Sequence, residues 1–135
     1  MHRLGATLVF ALLLVCPGVV RAFPKLNVAF LEEYVNDNPN KEFVELVKKK
    51  AKCNVCHQGK NRKHRNPYGA HLADIIDMKK DGKDMVKLKA ALRDVAKLHS
   101  VAGDDKSPTY GELIAEGKLP GGSLEDAMKE PEGEK

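Results

Sequence analysis

The sequence contains no tryptophan, and aromatic residues make up only 5% of its 135 positions. A core built from these side chains alone is thin, and a bound apolar group would supply the missing mass. Cysteine is scarce as well, with three residues, too few for a disulfide framework. No apolar run approaches the roughly 20 residues of a membrane-spanning helix. Runs rich in valine and isoleucine that would read as strands are missing, as are internal repeats. There is no Gly-rich phosphate loop, no Ser-His-Asp order and no carboxylate pair in an apolar setting, so nothing points to nucleotide or hydrolytic chemistry.

What is present begins with a leader. Arg3 lies in a short basic region and an apolar run follows at residues 8–15. A break at Pro17-Gly18 precedes Val20-Arg21-Ala22, an A-x-A-like cleavage site. Residues 1–22 are therefore expected to be a signal peptide, with an uncleaved membrane anchor as the alternative. After cleavage no stable membrane span is expected. Cleavage removes Cys16 and leaves two cysteines, Cys53 and Cys56.

Both sit in Cys53-Asn54-Val55-Cys56-His57, a C-x-x-C-H pentapeptide. Two thiols at this spacing can add across the two vinyl groups of one haem, and the histidine that follows can ligate the iron. One covalent haem c is expected, with Cys53 and Cys56 as thioether anchors and His57 as the proximal iron ligand. A thioredoxin-like pair would need a strand before Cys53, where residues 45–52 read as helix. A structural zinc site would need a second ligand pair, and His64, His71 and His99 do not form one. Covalent haem also accords with export, and a bacterial periplasmic location is expected. The leader takes Arg3 and Arg21 but no acid, lowering the formal charge of +4 by two. Two haem propionates would bring it near zero, so no nucleic-acid partner is expected.

Helical patterns fill the rest. Val28, Leu31 and Val35 share one side of a short segment, flanked by Phe30 and Tyr34. Asn40 can cap a helix over residues 41–52, with Phe43, Val44, Leu46, Val47 and Ala51 buried. Residues 58–65 form a polar, basic loop. Asn66-Pro67 starts a helix reaching about Lys79, with Tyr68, Leu72, Ile75 and Ile76 on one face. Asp84 can cap the longest helix, residues 85–99, where Met85, Leu88, Leu92, Val95 and His99 form an apolar seam. Ser107-Pro108 opens a last helix carrying Tyr110, Leu113 and Ile114. Four segments follow: the leader, an N-terminal arm with a short helix (23–40), a haem domain (41–116) and a charged tail expected to be disordered (117–135).

Over residues 41–116 this order resembles the small monohaem c-type cytochromes of bacteria, class I in style. The resemblance rests on the pentapeptide, with a helix running into it and helices after it. It implies an all-α, cytochrome c-like helical domain wrapped around one covalent haem, and an electron carrier rather than an enzyme. It implies that a proline carbonyl supports the haem histidine. Pro67 is the candidate, although Asn66-Pro67-Tyr68-Gly69 departs from the family's Gly-Pro-x-Leu. It implies a sixth ligand, usually methionine, from a loop before the last helix, yet residues 100–107 hold none. Met85, His99, Met78, His71, a water or an empty position remain open. Redox partner proteins, acidic ones drawn to Lys60, Arg62, Lys63 and Arg65, are expected, with the chain a monomer or a subunit of a redox complex. The alternatives are a five-coordinate haem that binds NO or CO or acts on peroxide, and a haem subunit delivering electrons within a larger assembly.

Overall fold

The computed structural model describes residues 24–60 and 62–131. The leader expected at residues 1–22 lies outside them. Two N-terminal helices come first, and both relax into wide π-type turns. Helix α1 (Pro24–Phe30) continues as Leu31–Val35, and α2 (Lys41–Glu45) continues as Leu46–Ala51. The widened turns shift the phase of the side chains. In the first segment Ala29, Phe30 and Val35 are buried, whereas Val28, expected on the inner face, is exposed.

Asn40 caps α2 as its sequence position suggested, its side chain accepting from the Phe43 N–H at 3.0 Å. Phe43, Val47 and Ala51 face inward. The helix ends at Lys52, whose φ of +49° lies in the left-handed half of backbone space. That reversal turns the chain into a 3-10 turn, Lys52–Val55, which holds Cys53.

The segment after the turn is not the plain loop its composition suggested. His57–Gln58 (β1) pairs antiparallel with His64–Arg65 (β2), His57 opposite Arg65 and Gln58 opposite His64. Gly59, Lys60, Arg62 and Lys63 lie in the bend of this small ribbon. Helix α3 (Pro67–Ile75) follows, capped by Asn66 with Pro67 at its first position. It stops at Ile75, short of Lys79, and Ile75 is exposed while Ile76 is buried.

Asp84 caps α4 (Met85–Ala96) by accepting from the Val86 and Lys87 N–H groups, both at 3.1 Å. Leu88, Leu92 and Val95 are buried as the seam pattern requires, but the helix closes before His99, which is exposed. Thr109, rather than Ser107, caps α5 (Tyr110–Ala115) in a reciprocal box with Glu112.

The tail expected to be disordered from residue 117 is ordered as far as Pro131. Leu119, Pro120 and Ala127 are buried, and Ser123 caps a short helix, α6 (Leu124–Met128). Three apolar anchors outweigh the polar composition that suggested disorder. Helices α1, α3 and α5 all pack on α4 around one core, so the chain is mostly helical with one small ribbon. Among the described residues no helix is long and apolar enough to cross a membrane.

Candidate functional site

The pentapeptide runs from the 3-10 turn, which holds Cys53, Asn54 and Val55, into the ribbon at His57, and α6 packs against both. Cys53 is exposed, and Cys56 packs partly buried against the core. Neither is in a disulfide. Burial pushes the Cys56 thiol up to about 12, and neighbouring Cys53 adds to the effect. One sulfur is thus open to reagents and the other is held back.

His57 is half-buried, and its Nδ1 lies 3.2 Å from the His64 carbonyl oxygen. The ribbon register creates this contact, because His64 pairs with Gln58 next door. The resemblance pointed instead to Pro67 for that carbonyl. Pro67 serves as the first residue of α3, and the carbonyl comes from three positions earlier. With Nδ1–H donating to His64, Nε2 keeps its lone pair for a metal.

Two asparagines fix the loop, and neither stood out from the sequence for this role. The buried Asn66 side chain accepts from the Gly69 N–H at 2.9 Å as a helix cap. Its amide also donates to the Asn54 and Val55 carbonyls at 3.2 and 3.0 Å. The Asn54 amide donates to the Ala127 carbonyl at 3.0 Å and lies near those of His57 and Gly59, at 3.4 and 3.5 Å. The Cys56 carbonyl accepts from the Asn66 N–H at 3.1 Å. A side chain at Gly69 would run into that same carbonyl, so glycine is needed for α3 to press against the motif. The Asn66-Pro67 helix start was legible in the sequence, but its reach back into the pentapeptide was not.

No family model, curated protein or solved structure matches this chain. Among the described residues no group of three His, Cys, Asp or Glu side chains converges to hold a metal ion. The donor set is two thiols three positions apart and one oriented imidazole. By its chemistry that set is one that could hold a c-type haem, the two thiols as anchors and the imidazole as an iron ligand.

The hub behind the motif is aromatic. Tyr68 is fully buried and stands edge-on to Tyr110, with ring centres 5.2 Å apart, and to Phe30 at 6.2 Å. Its hydroxyl is buried without a partner among the described atoms, and burial, then neighbouring Cys56, pushes its ionisation far upward. Tyr34, in edge contact with Phe30 at 5.2 Å, also has a buried, unpartnered hydroxyl. Burial raises it to about 12, with Glu33 adding and Arg93 opposing.

The candidates for a sixth iron ligand differ in their surroundings. Met85 and Met78 are half-buried against the core. His71 leans on Tyr110, with ring centres 5.8 Å apart. His99 is exposed, its Nδ1 2.5 Å from the Ser107 carbonyl oxygen, beside a bridge to Thr109.

Charge is strongly biased around the motif. From residue 46 to residue 73 there are eight Lys and Arg residues and no Asp or Glu. Among the described residues only Lys49 of these eight is in an ion pair, with Glu45 at 3.5 Å. Lys60, Arg62 and Lys63 are exposed on the ribbon bend, and Arg65 is exposed on β2.

Proposed function

We propose that this protein carries one haem c joined to Cys53 and Cys56 and ligated by His57, and that it works as an exported, periplasmic single-electron carrier. The observation that supports this most is the His57 Nδ1 contact with the His64 carbonyl oxygen. It leaves Nε2 as the ring's free donor and holds the imidazole in one orientation. A haem bound there supplies a one-electron iron couple. The chain's part is to hold the anchors still. Asn54 and Asn66 tie the loop from both sides, and Gly69 lets α3 brace it, which favours little rearrangement between oxidation states. The unpaired cations beside the motif would draw an acidic redox protein through long-range attraction, with a small, short-lived contact sufficient for exchange.

A second reading is favoured by the positions of the possible sixth ligands. With Met78 and Met85 packed half-buried against the core and His71 against Tyr110, a five-coordinate iron open to NO or CO is the alternative. One experiment separates the readings: co-expression with a haem-attachment system, then mass and visible spectra of the purified chain. The electron-carrier reading requires a covalent mass increase, lost in Cys53→Ala/Cys56→Ala, and a low-spin reduced spectrum that CO leaves unchanged. A high-spin spectrum that shifts with CO would favour the ligand-binding form. No covalent haem at all would refute both.

A further inference from the structure

The tail crosses the loop that carries the pentapeptide and meets it at Asn54, Gly59, Lys60 and Asn66. Gly121 stands so close to the Asn66 side-chain amide that a Cβ there would collide with it. The Ala127 carbonyl accepts from the Gly59 N–H at 2.9 Å and from the Asn54 amide at 3.0 Å. The Glu130 carboxylate accepts from the Lys60 N–H at 2.9 Å and crowds Gly59. Every residue so held either lies inside the Cys53–Lys60 stretch or, like Asn66, bonds directly to it.

The anchoring of the tail is slight by comparison. Helix α6 spans five residues, Leu124–Met128, and Ala127 is its one fully inward side chain. Leu119 and Pro120, both buried, fix the other end near Asn66. An element with so few apolar contacts opens far more often than the core does. Charge favours its return at Glu130, whose carboxylate meets the Lys60 N–H in a stretch that has cations and no acids, whereas Glu125 and Asp126 are ion-paired with Lys129.

We infer that residues 119–131 form a strap over the C-x-x-C-H loop, and that its release sets how far the inner thiol, Cys56, is exposed. While the strap is docked, Asn54, between the two cysteines, and Gly59, just after the histidine, are both bonded to one carbonyl, that of Ala127. When it lifts, both ends of the loop lose that tie together, and Cys56 can turn out from the core. Cys53 is exposed in either state. The strap thus imposes an order on the two sulfurs, Cys53 first and Cys56 on opening. The inference stands apart from the haem reading, since any thiol-directed group meets the same strap.

The test uses the reduced, unmodified chain, iodoacetamide, fragment-ion mapping of each cysteine, and amide exchange at Gly59 and Lys60. Ala127→Lys places a long cation at the buried contact, and Asn54→Ala cuts the tie from the loop side. In the unaltered chain the Gly59 amide should be protected and Cys56 should alkylate much more slowly than Cys53. Each variant should speed exchange at Gly59 and raise Cys56 alkylation about tenfold or more, as expected when local opening becomes easier. Cys53 alkylation and the far-UV circular dichroism should stay as they were. Faster exchange at Gly59 with unchanged Cys56 alkylation would overturn the inference. So would unchanged exchange at Gly59 in both variants, because the tail would then not be held by these ties.

Discussion

Gly69→Ala probes the closest approach between α3 and the motif. A methyl group added in a helix ordinarily favours folding, by up to about 1 kcal/mol. Here the new Cβ would run into the Cys56 carbonyl oxygen, a backbone atom that cannot swing aside. That oxygen is also bonded to the Asn66 N–H at 3.1 Å, so pushing it away disturbs the loop as well as the helix. Overpacking of this kind costs about 1–3 kcal/mol, and a weakened buried hydrogen bond adds about 1 kcal/mol. Set against the propensity gain, the net loss should be about 1–3 kcal/mol. For a domain of this size each kcal/mol moves Tm by about 4–8 °C, so melting should fall by on the order of 10 °C. Thermal unfolding of the unmodified chain, followed by far-UV circular dichroism, measures it. The yield of covalent haem on co-expression should fall too, since the residue next to His57 is displaced. If Gly69→Ala melts at or above the original temperature, the tight seating of α3 on the motif is wrong.

Asn66→Ala removes a helix cap and two donors to the loop, and should cost about 2–3 kcal/mol in chemical denaturation. A change under half a kcal/mol would mean that water replaces the amide. The raised ionisation of Tyr34 predicts an alkaline limit. Its ordinary value is 10.0 and burial lifts it to about 12, so the folded form is favoured while the phenol stays protonated. That stability is complete below pH 10.0 and is lost as pH rises through about 12. Tyrosine absorbance should therefore change cooperatively with unfolding in that window, and independent ionisation without unfolding would contradict it. On the haem-loaded chain, His99→Ala should leave the spectrum unchanged, and Met85→Ala should lower Tm without altering it. A new CO-sensitive spectrum in either variant would make that residue the sixth ligand. Electron exchange with an acidic redox protein should slow by tenfold or more between low and physiological salt. A flat salt dependence would remove the basic stretch from partner steering.

Much of the helical frame was legible in the sequence because it depends on local chemistry. Asn40, Asn66 and Asp84 cap the helices their positions suggested, and Leu88, Leu92 and Val95 lie inward as their spacing requires. What escaped depends on partners distant in sequence. Val28 points outward because the π-type turn after Phe30 re-phases the segment, and no residue pattern announces that turn. The His57–Gln58 and His64–Arg65 ribbon is too short to show alternation. The charged composition of the tail suggests solvent-borne chain, although Ser123 with Asp126 three positions on is a readable cap signal. Its docking depends on carbonyl and amide contacts more than sixty residues apart, and sequence pattern does not carry those.

The aromatic hub also makes the molecule its own optical gauge. With no tryptophan and three tyrosines, near-ultraviolet emission is dominated by Tyr34 and Tyr68, joined edge to edge through Phe30, and by Tyr110, edge-on to Tyr68. Tyr68 places that group close enough to Cys56 for the two to interact electrostatically. A porphyrin fastened at that sulfur would sit within energy-transfer range of the cluster and darken it. Unlabelled chain could then be watched from synthesis to completion, bright while its thiols are free and dim once the pigment is in place.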